Sequence, residues 1–274
     1  MKKHELSIKG YKDKAISIDY RYCDSDKPLI PIVYVHGFKG FKDWGSSNEI
    51  ANYFAEHGFL FLKFNFSHNG VSKESPCDFV DLDAFAENNY WIELQELGLV
   101  INWLEYSDLP TDFSKLALIG HSRGGGITLL RTAQDSRIQK AITWASVSDF
   151  EKRFPEDVSD WKAKGVEYIY NGRTQQMMPL NYQFYESFYA HHAELDIPSQ
   201  CKNIHQKVLV IHGTDDPAVG IEEAQQISSL VKQSQLEVIK DAGHTFGAVH
   251  PSVSKCLSEH LSLAVNKTFD FLTF

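Results

Sequence analysis

The chain predicts an α/β fold: a mostly parallel central sheet with helices on both faces. Three observations carry this. First, short apolar runs such as IPIVYV (30–35), FLFLKFNF (59–66) and KVLVIHG (207–213) are continuous rather than alternating, as in strands buried on both faces. Second, segments with helical spacing separate these runs, which implies β-α-β units joined in parallel. Third, LALIGHSRGGG (116–126) sets a serine between glycines where a strand gives way to a helix.

In chain order, HELSIKG and AISIDYRY (15–22) form an N-terminal hairpin across a Tyr11–Lys14 turn. After the IPIVYV strand, residues 46–57 form a helix with a serine cap, apolar at Ile50, Ala51, Phe54 and Ala55 and stopped by Gly58. FLFLKFNF is the next strand. Trp91, Leu94, Leu97, Val100, Ile101 and Leu104 share one face of a long helix that ends before Pro110. The strand KLALIG leads through the glycines into a helix over 127–133. Strands follow at 138–146, 207–213 and 236–244. Helices are expected at 221–233 and from about Ser252 to Leu272. Residues 149–203 show no clear strand and are rich in Tyr, Phe, Trp and Met. A stretch this long is not a bare loop, so a helical lid inserted in a single 1–274 domain is expected.

Bulk properties narrow the function. The 274 residues are 43% hydrophobic, enough for a sizeable core. A net charge of −9 disfavours nucleic acid and anionic membrane as partners. No apolar run spans a bilayer, and the lysines at the start have no apolar stretch behind them. Cys23, Cys77, Cys201 and Cys256 are widely spaced and form no CxxC pair. A soluble, cytoplasmic protein with free thiols is the expectation.

The pattern G-x-S-x-G around Ser122 is that of a nucleophile elbow. Bulk at Gly120 or Gly124 would collide across such a bend. A serine hydroxyl needs a base to take its proton, and the base needs an orienting carboxylate. In an open parallel sheet both come from loops at the carboxyl ends of strands. The loop after KVLVIHG reads TDDPAVG, offering Asp215 and Asp216. The loop after LEVIKDA reads GHTF, offering His244. Asp149 is an alternative acid. An oxyanion hole would use two backbone amides, that of Arg123 and that of Phe38 in the HGF loop, with neither side chain taking part. Gly37 lets that loop approach closely, and His36 holds it by a hydrogen bond.

At HGF, GHSRGG, HGTDDPAV and AGHTF the chain resembles the α/β-hydrolase superfamily over nearly its whole length, and in particular its small esterase, dienelactone-hydrolase-like and prolyl-oligopeptidase-like members. The family pattern HGxxDxxV makes Asp216 the acid rather than Asp215, with Val219 in place. FNFSHNGVS is similar to the family's FDxxGxGxS stretch but carries Asn69 where a second glycine or histidine is common. The resemblance implies a carboxylesterase-like serine hydrolase with Ser122, His244 and Asp216 as its triad. It needs neither metal nor organic cofactor. Alternatives on the same fold are a peptidase or amidase, an acyltransferase, and a non-catalytic ligand-binding protein.

Trp161, Met177, Met178 and Tyr182 of the insertion are candidate substrate contacts. His191, His192 and Glu194 fall on different faces of a helix and do not compose a metal site. His250 is expected to begin the last helix. The aromatic insertion and acidic charge favour a neutral, partly apolar, small-molecule ester.

Overall fold

The computed structural model describes residues 1–252 and 254–274. Its strands and helices follow the expected alternation. The chain begins with β1 (Lys2–Lys9), a single 3-10 turn at Tyr11–Asp13, β2 (Ala15–Tyr22) and β3 (Ile30–Val35). Then come α1 (Ser47–Glu56), β4 (Phe59–Asn65), α2 (Leu82–Glu87) and α3 (Tyr90–Glu105). The centre holds β5 (Ala117–His121), α4 (Arg123–Gln134) and β6 (Lys140–Trp144).

The eight-stranded sheet has the order β1-β2-β4-β3-β5-β6 and then two later strands, β9 (Lys207–Gly213) and β10 (Ser234–Ile239). The hairpin β1–β2 and the β2–β4 pair are antiparallel, and every other pair is parallel. Alternate residues of the central strands feed two cores. Val33, Val35, Leu118, Val208 and Val210 face α3, α4 and α9 (Ile221–Leu230). Ile32, Ala117, Ile119, Leu209 and Ile211 face α1 and α10 (Glu259–Thr273). Because the strands are buried on both sides, they read in sequence as unbroken apolar runs.

Between β6 and β9 the chain forms α5 (Ser159–Lys164), a two-stranded antiparallel hairpin of β7 (Val166–Asn171) and β8 (Gln176–Asn181), and α6 (Gln183–Ala190). Two short helices follow, α7 (His192–Leu195) and α8 (Ile197–Cys201). The expectation of an all-helical insertion is therefore corrected. A two-stranded ribbon has only edges, so it accommodates Pro179 in β8, which argues against a strand when read in isolation.

Two boundaries differ by more than one turn or a few residues, while α9 ends at Leu230 and β6 spans Lys140–Trp144, close to expectation. The last helix starts at Glu259, where the Ser258 hydroxyl caps the Leu261 amide at 3.3 Å, not near Ser252. Residues 254–256 are exposed and present no apolar face, whereas Leu261, Ala264, Val265, Thr268 and Leu272 are buried at helical spacing. Val253, within the expected helix, lies outside the described residues. The strand expected over 236–244 stops at Ile239, which leaves residues 240–244 as a loop. Among the described residues no helix is long and apolar enough to cross a membrane.

Candidate active site

Ser122 is the hinge residue between β5 and α4, with φ 56° and ψ −120°. A non-glycine residue rarely occupies this region, and the flanking glycines are what permit it. A β-carbon on Gly120 would lie 2.3 Å from the Gly124 carbonyl oxygen. One on Gly124 would lie 2.4 Å from the carbonyl oxygens of both Val35 and His36. The turn closes only because both positions lack side chains, and the same contact packs α4 against the end of β3.

Ser122 Oγ donates to His244 Nε2 at 3.0 Å, and His244 Nδ1 donates to Asp216 Oδ2 at 2.7 Å. Asp216 comes from the loop after β9 and His244 from the loop after β10. The Asp216 carboxylate is buried and accepts on Oδ1 from the amides of Ala218 and Val219, at 2.8 and 2.9 Å. Burial works to raise its carboxyl pKa. Hydrogen bonds from His212, His244 and Val219 outweigh that and hold it well below the usual carboxylate range. A carboxylate fixed in this way keeps His244 in the tautomer whose Nε2 faces Ser122.

The other acid candidates face elsewhere. Asp215 accepts from the Thr214 hydroxyl at 2.7 Å, and Asp149 accepts from the Glu151 amide at 2.8 Å. His250 accepts from the Gly45 amide at 3.0 Å and stacks on Trp44, so it anchors a loop and does not begin a helix.

The HGF loop runs beside the serine. A β-carbon on Gly37 would meet Ser122 Cβ and the His121 carbonyl oxygen, each at 3.0 Å. His36 donates through Nδ1 to the Gly37 carbonyl at 2.9 Å and accepts the Phe66 amide at 3.5 Å, as the sequence led one to expect. Arg123 is the first residue of α4, so its amide has no partner within the helix.

Above Ser122 lies a cavity of about 490 Å³, largely apolar, walled by Phe38, Tyr90, Phe150, Phe154, Trp161 and Phe184 among others. Of the four proposed substrate contacts, Trp161 lines it. Met178 is fully buried in the core beneath the hairpin, Met177 is exposed on its far side, and Tyr182 packs behind Trp161. Strand alternation puts Met177 and Met178 on opposite faces. Met178 shares its face with Ile169 and Leu180, which line the cavity, but is not itself part of the lining. His191 stacks on Trp91 and His192 on Tyr189, and among the described residues no three His, Cys, Asp or Glu side chains converge as metal ligands.

Three residues with no assigned role in the sequence reading stand at the site. His121 donates through Nε2 to the His244 carbonyl at 2.9 Å, tying the His244 loop to the elbow. Burial, with the nearby His244, pushes its imidazole down to about 3. His212, at the end of β9, reaches both Val219 and Asp216. Glu93, buried on α3, contacts the Arg123 guanidinium. That guanidinium lines the cavity, contrary to the expectation that Arg123 contributes its amide alone.

Residues 30–176, more than half of the chain, match the alpha/beta hydrolase fold family, and the chain belongs to that family. It is 28% identical over 168 residues to an (R)-3-hydroxydecanoyl-ACP:CoA transacylase of Pseudomonas putida, a match spanning 50% of this chain and 56% of that protein. Among solved structures it is similar to the ferulic acid complex of Est1E from Butyrivibrio proteoclasticus, with TM-score 0.74, 16% identity and 98% of each chain covered. It is also similar to the alpha/beta hydrolase GrgF from Penicillium, with TM-score 0.73, 16% identity, and 100% of this chain and 98% of that one covered. At these identities the likeness is one of fold.

Proposed function

We propose that the protein is a serine hydrolase that cleaves a small-molecule carboxylic ester through an acyl-enzyme. The observation that carries this is the unbroken hydrogen-bonded chain Ser122–His244–Asp216 on the floor of an apolar cavity. Ser122 Oγ attacks the ester carbonyl while His244 Nε2 takes its proton. The amides of Arg123 and Phe38 receive the developing oxyanion. His244 then protonates the leaving alcohol, and the acyl group remains on Ser122. Water, deprotonated by His244, attacks the acyl-enzyme and releases the acid. Asp216 stabilises the charged imidazole in both halves without being protonated itself. The apolar walls accept an aromatic or aliphatic body.

A fluorophosphonate probe tests this directly. It is expected to label wild type and not Ser122→Ala, with loss of ester hydrolysis in the variant. Folded wild type that resists the probe would remove Ser122 as nucleophile.

The transacylase relative favours a second reading, in which an alcohol or thiol instead of water discharges the acyl-enzyme. Partition of products between free acid and transferred acyl, as a thiol acceptor is raised against constant water, separates the two.

A further inference from the structure

The cavity is charged unevenly. At its opening stand the acidic side chains of Asp157, Asp160 and Glu167, with Arg153 held in close contact by Glu223. On its floor the guanidinium of Arg123 is 11% exposed and caged by rings, its Cζ 4.0 Å from the centre of Phe38, 4.9 Å from Tyr90 and 5.3 Å from Phe184. Its counter-ion is loose. Nη1 meets Glu93 Oε1 at 3.4 Å, and among the described residues Nε and Nη2 have no hydrogen-bond partner. Glu93 Oε1 is already taken by Asn88 at 2.8 Å and its Oε2 is buried without a partner. Burial pushes the Glu93 carboxyl up, against the opposing influence of Arg123 and Asn88.

A guanidinium withdrawn from water is favourable only when its fork is occupied, and π faces supply part of that but no hydrogen-bond acceptor. The donors left over have no protein acceptor, and Arg123 lines the cavity beside Ser122. We infer that the Arg123 side chain is an anion-recognition group, and that the preferred substrate is an ester carrying a free carboxylate close to the scissile carbonyl, such as a half-ester of a dicarboxylic acid. The position follows from the charge layout. Arg123 directly follows Ser122, while the acidic opening repels a carboxylate placed at the outer end of the substrate. The fork matches a carboxylate in two-point contact. This rests on the serine-hydrolase reading and differs from the neutral ester that net charge favours. Net charge sums the whole surface, whereas recognition depends on the few groups a ligand touches.

The test uses monobenzyl succinate, glutarate and adipate, which move the carboxylate outward one methylene at a time. Each is paired with the analogue bearing a primary amide in place of the carboxylate. The readout is the ratio of kcat/KM for acid over amide, taken on one preparation so that loss of folded protein cancels. Wild type is expected to prefer the acid at one or more lengths. In Arg123→Met, which keeps the backbone amide, the ratio is expected to fall about 10- to 100-fold, chiefly through KM. Arg123→Lys retains part of the preference, and Glu93→Gln, which removes the competing carboxylate, raises it. A wild-type ratio at or below one at every length, or a ratio unmoved in Arg123→Met, overturns the proposal. Fluorophosphonate labelling reports on Ser122 independently. If labelled protein cleaves none of the esters, calorimetric titration with monobenzyl glutarate decides, since no binding, or equal binding by Arg123→Met, overturns the carboxylate site alone.

Discussion

His212 Nε2 stands 3.4 Å from Asp216 Oδ2, the same oxygen that accepts His244 Nδ1–H at 2.7 Å. The imidazole is fully buried and also donates to the Val219 carbonyl at 2.9 Å, so it holds the Asp216 loop at two points. Replacing it by Ala leaves the loop free to shift relative to His244. The expected result is a kcat about 10- to 100-fold lower with KM little changed, because small displacements of reacting groups are costly. Steady-state kinetics with a simple aryl ester checks this. A wild-type kcat would confine His212 to a folding role.

Asp216→Asn tests the acid itself. Asparagine can donate to His244 Nδ1 and favour the wrong tautomer, so kcat is expected to fall about 10³- to 10⁴-fold. Asp215→Asn, whose carboxylate faces Thr214, serves as the matched control and is expected to lose far less. Similar losses in both would mean that the assignment between neighbouring acids is wrong.

Stability is expected to fall on acidification through the buried histidines. Burial pushes His36 down to about 4 from an ordinary 6.5. Between these values the unfolded chain binds a proton that the folded chain refuses. The contribution of His36 is therefore intact above pH 6.5 and shrinks as pH falls toward 4. From neutrality down to about pH 5 the loss is about 2 kcal/mol. His121, also lowered, acts in the same direction. Urea midpoints at the two pH values should drop for wild type and drop less for His36→Gln. Equal drops would show that His36 is not responsible.

Gly124→Ala places a methyl 2.4 Å from two carbonyl oxygens that belong to the backbone and cannot swing aside. The first turn of α4 must move away from the HGF loop, which separates the two proposed oxyanion donors. Tm is expected to fall, at a cost of about 1–3 kcal/mol. In the fraction that remains folded, kcat should fall by more than KM rises. Active-site titration with the fluorophosphonate normalises the comparison, and a normal kcat per labelled site would contradict it.

The cavity walls are tested by acyl preference. Phe184→Leu removes part of a wall and is expected to shift the optimum toward bulkier or longer acyl groups. Met177→Ala, on the exposed face of the hairpin, is expected to leave the profile of a p-nitrophenyl ester series in place. A shift in the second variant and none in the first would move the substrate to the other side of β7–β8.

The sheet and the proposed triad were legible because their signals are local. A strand buried on both faces is an apolar run, and a loop beginning where the run ends must lie at the sheet's carboxyl edge. Ser122, Asp216 and His244 are all placed by that rule. The hairpin was not legible, since neither VEYIYN nor QMMPLN alternates cleanly between apolar and polar residues and Pro179 interrupts the second. Arg123 shows the limit in another way. Its position in the elbow announced its amide, but the direction of its side chain depends on Phe38, Tyr90, Phe184 and Glu93, which come from three distant parts of the chain. Glu93 had a findable signal: it lies one turn before Leu97, on the apolar side of α3, where a carboxylate needs a partner.

The polar groups beneath the cavity come from the ends of β5, β9 and β10, whereas Phe150, Phe154, Trp161, Ile169, Leu180 and Phe184 all come from one continuous stretch after β6. Much of the apolar wall is thus written on a length of the gene separate from the proposed triad. A library confined to codons 150–184 can reshape that wall while Ser122, Asp216 and His244 are left unchanged.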